Sequence, residues 1–220
     1  PMLAIKRSPL AAVGVVVAAL SGASFRMTGP IFGQQVGLEI TTIAYFLASF
    51  VLGGAIAQYP IGFIADKIDR RWVLIWLSFA AIISCIVTAN INTNNTYILM
   101  LTAGIFGFTT FPIFSVAAAH AHDFAQDYER VELSAALMFF YAVGAIAAPY
   151  TASILMQSFG PSALFYLIAS GHVGLVVFGF YRMLSRPPVE EKTDYIYSPR
   201  TSFLIAVSYT HLTLPTTSMV

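Results

Sequence analysis

Many of the chain's ionisable residues crowd into two short stretches. Asp66, Lys67, Asp69, Arg70 and Arg71 fall within six positions. Carboxylates and cations at this spacing form ion pairs and helix caps, chemistry that favours one conformation over another rather than breaking bonds. Gly62 stands four residues before Asp66, where a missing side chain lets another helix approach closely. The second stretch is His120-Ala121-His122-Asp123. His120, His122 and Asp123 are metal-binding types, but a structural zinc site takes four ligands and the stretch offers no evident fourth. We assign no metal site. Glu129 and Glu132 follow, placed to meet the positive start of a helix.

Single residues carry the remaining chemistry. Arg26 lies inside an apolar run, where a guanidinium at mid-helix costs about 2.5–3.5 kcal/mol on insertion scales. Two roles are open. It can reach the outer headgroups or a packing ion pair, or it can face a cavity and bind an anionic group. Tyr45, Thr109, Thr110 and Tyr141 bring hydroxyls into apolar runs, beside Phe106 and Phe140. Each can pack as readily as touch a ligand, although the hydroxyl of Tyr141 needs a partner in hydrocarbon. His172 reads as a hydrogen-bonded structural histidine. No Asp or Glu lies deep in an apolar run, where a proton-coupled device needs a titrating group. There is no phosphate loop, nucleophile triad or metal-binding helix motif, so we expect no cofactor and no enzyme. A net charge of +1 gives no sign of nucleic acid as a partner. Cys85 is the only cysteine, which excludes a disulfide framework.

These residues are carried on long apolar runs. The chain is 58% hydrophobic and 10% charged, whereas soluble domains carry about 25% charged residues. Six runs are long enough to cross a bilayer as helices, near 9–32, 40–64, 72–90, 97–119, 133–157 and 162–182. About 20 residues at 1.5 Å each span the hydrocarbon. The expected fold is an all-α membrane protein with a six-helix bundle over 9–183. Residues 1–8 read as a cytoplasmic linker remnant and 184–206 as a polar cytoplasmic tail. The start at Pro1, with no signal-peptide pattern, suggests a chain cut from something longer.

Loop charges orient the bundle. With the 66–71 turn inside, the cytoplasmic side holds Lys6, Arg7, Lys67, Arg70, Arg71, Arg130, Arg182, Arg186, Lys192 and Arg200. Only Arg26 of the 11 cations falls elsewhere, so both ends are expected to be cytoplasmic.

Small residues four apart mark close helix approaches: Gly14, Ala18 and Gly22, then Gly53 and Ala57, Ala103 and Gly107, and Gly144 and Ala148. Thr28-Gly29-Pro30-Ile31-Phe32 in the first run matches Thr110-Phe111-Pro112-Ile113-Phe114 in the fourth at all but one position. That suggests an inverted repeat of three helices plus three. Pro30, Pro112 and Pro149 each remove a helix hydrogen bond and are expected to bend their helices.

The stretch Gly62-Phe63-Ile64-Ala65-Asp66-Lys67-Ile68-Asp69-Arg70-Arg71 resembles the loop motif of the major facilitator superfamily of transporters. It departs at Asp69, where that family usually has Gly. The stretches 57–62, 111–112 with 117–123, 141–149 and 158–161 resemble the second half of the YcaD-like group. The resemblance covers about residues 8–203 and implies one half of a twelve-helix fold, its N-terminal six-helix half missing here. It also implies a small solute bound near the midplane, with Tyr45, Thr109, Thr110 and Tyr141 on cavity-facing helices; the cavity role open to Arg26 rests on its own chemistry and not on the resemblance. Gly62, Asp66, Lys67, Arg70 and Arg71 would form the conformational motif. Any proton-coupling carboxylate would lie in the other half. The expected setting is a bacterial-type inner membrane, with the lipid bilayer as a partner. A non-transporting sensor or assembly protein on the same fold is the alternative. Residues 207–220 look like the translation of a sequencing adapter and carry no part of this reading.

Overall fold

A backbone in hydrocarbon must satisfy its own hydrogen bonds, and helices do this within a single segment. The structure, a computed structural model, describes residues 2–91 and 95–185. The polar tail from 186, with Arg186, Lys192 and Arg200, and the segment 207–220 lie outside the described residues. A short helix, α1 (Met2–Arg7), occupies the stretch read as a linker remnant. Six long helices follow: α2 (Pro9–Gln35), α3 (Ile40–Lys67), α4 (Arg70–Asn90), α5 (Thr96–His122), α6 (Arg130–Phe159) and α7 (Ala163–Ser185). All six are long and apolar enough to cross a membrane. The described residues contain no strand.

The helix ends follow local chemistry. Ser8 caps α2 by accepting from the Ala11 N–H at 3.3 Å, and Pro9 fills the first turn, where its missing N–H costs nothing. The side chain of Asn95 accepts from Tyr97 and Ile98 at the start of α5. Gly160 ends α6 with φ +88°, a left-handed conformation that favours glycine. Pro30, Pro112 and Pro149 lie inside α2, α5 and α6, and Pro60 lies inside α3.

Packing repeats across the bundle. The most extensive contacts are α3 on α5 and α2 on α6. Exchanging α2 with α5, α3 with α6 and α4 with α7 maps these two pairs onto each other. It also maps α4·α5 onto α2·α7, and leaves α2·α5 and α4·α7 in place. Gly53 on α3 abuts the Gly104 carbonyl, while Gly144 on α6 would set a Cβ 3.2 Å from the Val16 carbonyl. The packing thus carries a three-plus-three pattern.

Two apolar clusters fill the bundle. One, with Leu10, Ile61, Leu74, Val116 and Leu133, lies toward the end bearing the charged turn. The other is aromatic: Phe25 sits 4.2 Å from Phe50, 5.0 Å from Phe46 and 5.2 Å from Phe106, ring centre to ring centre. Ring pairs of this kind add about 0.5–1.5 kcal/mol each beyond their buried area. Between α2 and α7, Ser21 Oγ donates to the Val17 carbonyl at 2.9 Å. It therefore accepts from His172 Nε2, also at 2.9 Å. His172 is fully buried, and this bond ties α7 to the centre of the bundle.

Candidate functional site

The charged turn packs the end of α3 against α4 and α5. Asp69 is the N-cap of α4, with φ −60° and ψ 120°. Its carboxylate accepts from the Arg71 backbone N–H at 2.9 Å, and from Arg71 Nε at 3.0 Å and Nη2 at 2.7 Å. The Arg71 side chain is buried. Partial burial pushes the Asp69 carboxyl up, but the Arg71 side-chain and backbone hydrogen bonds and the Arg71 charge outweigh it, and the net shift is downward. The departure from the family pattern at Asp69 thus has a structural reason. A negative φ needs no glycine, and the carboxylate both caps a helix and neutralises a buried arginine.

Arg70 bridges the two sides of the turn. It donates to Asp66 Oδ1 at 3.2 Å, and it pairs with Asp123, the residue that ends α5. Asp66 keeps 62% of its side chain exposed, so one edge of the carboxylate remains open. The Lys67 ammonium lies 4.0 Å from the centre of the Phe63 ring. No atom stands within 4 Å of a Cβ placed on Gly62. The face that glycine leaves clear is unoccupied by the described residues. Nearby, Arg7 of α1 reaches Glu129 at 2.7 Å, which joins α1 to the start of α6. The histidines of the second stretch serve packing: His120 meets Phe124 edge-on, and His122 Nε2 lies 3.2 Å from Ser134 Oγ. No group of three metal-binding side chains occurs among the described residues.

A second locus lies midway along the helices. Ala18, Gly22 and Arg26 of α2, Thr110, Phe111 and Phe114 of α5, and Tyr141 of α6 line a cleft of about 60 Å³. Arg26 Nη2 donates to Tyr141 Oη at 3.0 Å. The Tyr141 ring stands edge-on to Phe114, 5.4 Å between centres. Helical side chains lean toward the N-terminus of their helix, and Arg26 does so. Its Nη2 lies 3.3 Å from where a Cβ on Gly22 would stand. Gly22 is the middle residue of Pro9–Gln35, so the guanidinium turns toward mid-helix and away from the nearer helix end. None of the ion pairs among the described residues includes Arg26.

The cleft gathers Arg26, Thr110 and Tyr141 from the sequence reading. It leaves out Tyr45, which is exposed on α3, and Thr109, which is buried with its hydroxyl donating to the Ile105 and Phe106 carbonyls. Thr110 Oγ1 donates to the Phe106 carbonyl at 2.8 Å. Two lining residues escaped the sequence reading, Phe111 and Phe114. Their signal was present: they flank Pro112 three positions apart, which puts both on one side of α5.

Geometry and comparison agree on the class: a six-helix membrane bundle of a transporter family. The Major Facilitator Superfamily model matches residues 11–212, and the chain belongs to that family. An uncharacterized MFS-type transporter of Enterobacter sp. (strain 638) is 28% identical over 198 residues, covering 90% of this chain and 49% of the relative. The MFS-type transporter YcaD of Escherichia coli O17:K52:H18 is 30% identical over 169 residues, covering 77% and 43%. The crystal structure of an auto-inhibited POT family peptide transporter superposes with a TM-score of 0.65 at 15% identity, covering 97% of this chain and 48% of that one. The chain spans about half the length of the relatives it matches.

Proposed function

We propose that the chain is the C-terminal half of a secondary transporter, which moves a small solute by rocking against a second six-helix half. The observation that carries this reading is the mid-helix cleft. Three helices bring a cation, a phenol and a hydroxyl-bearing turn to one place at the depth where such transporters bind solutes. The least covered helices support it. Only 28% of the most apolar window of α3, and of α6, is buried, against 67% for α2. Those two helices supply the open flank on which a second half would close. Asp66 and Gly62, at the end of α3, are the parts of the turn that face outward from this half. In this reading they meet the N-terminus of a helix from the other half when the cytoplasmic side shuts. Both ends and the 66–71 turn are cytoplasmic, in an inner membrane of bacterial type.

The test is solute uptake by vesicles holding the intact two-half protein, with solutes first screened by the thermal shift they cause. Saturable uptake of a solute that also raises the melting temperature is the expected result. Solutes that shift melting but never cross would favour a sensor on the same fold.

A further inference from the structure

We propose that the cleft between α2, α5 and α6 selects small organic anions with an apolar body, and that Arg26 is the group that takes the anionic end. The proposal rests on the transport reading above for the cleft's purpose, but not for its chemistry.

A guanidinium at mid-helix depth is costly to keep without a purpose. Arg26 has none of the usual remedies within this half. It does not extend to the nearer helix end, because its side chain folds back over Gly22. It has no carboxylate partner among the described residues, and its one hydrogen bond goes to the neutral Tyr141 hydroxyl. That bond occupies one of five N–H donors and fixes the guanidinium where it borders the cleft. The remaining donors form the planar fork that pairs with carboxylates and phosphates in two-pronged fashion.

The surroundings define the rest of the ligand. Phe111 and Phe114 wall the cleft from α5, and the Phe114 ring is braced edge-on by Tyr141. Among the lining residues there is no carboxylate to welcome a cation and no second basic group to call for a polyanion. One positive fork beside two aromatic rings suits a singly charged group on an apolar frame. Gly22 borders the device as well: a Cβ there would stand 3.3 Å from Arg26 Nη2, so the guanidinium would have to give by a few tenths of an ångström.

The test reads charge at the cleft directly and needs no transported solute. Ser115 is exposed and follows Phe114 along α5. In the intact protein in lipid nanodiscs, with the buried Cys85 changed to Ala, Ser115→Cys provides a reporter thiol. Its reaction rates with the anionic sulfonatoethyl and the cationic trimethylammonioethyl methanethiosulfonates are compared. Arg26 should favour the anionic reagent. Arg26→Gln should cut the rate ratio by about tenfold, the scale of a unit charge acting over about 10 Å between protein and water dielectric. Benzoate should slow labelling by either reagent in the Arg26 protein, and benzamide should not. Arg26→Lys keeps the charge and guards against a folding artefact; it should preserve the rate ratio but weaken protection by benzoate. A rate ratio unmoved by Arg26→Gln would overturn the proposal, as would equal protection by benzoate and benzamide. The first is the result expected if a carboxylate of the other half neutralises Arg26. Charge preference and benzoate protection in a protein that moves no solute would support the anion site and count against the transport reading alone.

Discussion

The carbonyl oxygen of Gly104 occupies the space that a Cβ on Gly53 would need. One turn along, the Phe50 carbonyl fills the corresponding space beside Gly107. These contacts let the backbones of α3 and α5 touch, and they explain why this helix pair is the most closely joined in the bundle.

Alanine at Gly53 or Gly107 therefore has to force two backbones apart. We expect each to destabilise the protein by about 1–3 kcal/mol, the range for overpacked cores. Gly174, on α7, has nothing within 4 Å of its Cβ position. Alanine there should be neutral or stabilising by up to about 1 kcal/mol, since alanine is the better helix former. Thermal unfolding in detergent, followed by the fluorescence of Trp72 and Trp76, distinguishes the two cases. Equal effects at Gly53 and Gly174 would contradict the packing.

Gly62 makes a contrasting case. No described atom crowds it, so Gly62→Leu should be neutral for this six-helix unit or stabilise it by up to about 1 kcal/mol, since leucine too is a better helix former than glycine. On the proposed function, in which a second half closes on that face, the same change should slow uptake by the intact protein several-fold. Loss of stability in the isolated unit would show that the clearance serves its own fold.

How much of this was legible from the sequence depended on which force set each feature. The six spans were readable because burial in lipid demands long apolar runs. Their ends were not: α3 runs on to Lys67 and α6 begins at Arg130, since polar and charged residues extend a helix past the hydrocarbon. The convergence of Arg26, Thr110 and Tyr141 needed the helix crossings, which periodicity does not provide. Tyr45 and Thr109 share a residue type with cleft-lining groups, but Tyr45 lies on α3, which lines no part of the cleft, and Thr109 lies on another face of α5. The direction of the Arg26 side chain depended on Gly22, one turn back, and a list of charged residues does not show that room.

Asp69 links the turn to pH. Its carboxyl titrates below the ordinary value in the folded protein. The stabilisation is therefore fully present above the unfolded pKa, about 3.9, and is lost as pH falls through the lower folded value. Asp69→Asn can still accept hydrogen bonds but carries no charge. It should lower the melting temperature at pH 7 and flatten the fall in stability below about pH 4. An unchanged acid transition would mean that the Asp69–Arg71 pair contributes nothing net.

Orientation can be read with cysteines in a background without Cys85. A thiol at Ser158, exposed near the end of α6, should react with an impermeant maleimide added to whole cells. One at Lys67 should react only after the membrane is opened. The opposite pattern would reverse the topology.

In the proposed function this half rocks against another, with Asp66 helping to hold the cytoplasmic side shut. The most direct measurement is the distance distribution between spin labels in the intact protein, one at Gln126 between α5 and α6 and one at the matching loop of the other half. A carboxylate at a helix N-terminus is worth about 0.3–1 kcal/mol, and up to about 2 when partly buried. Removing it should shift a two-state balance by about two- to thirtyfold. We predict two distance populations, with Asp66→Asn moving weight to the longer, cytoplasm-open one. A single distribution, unchanged in Asp66→Asn and by any solute that binds, would contradict the account.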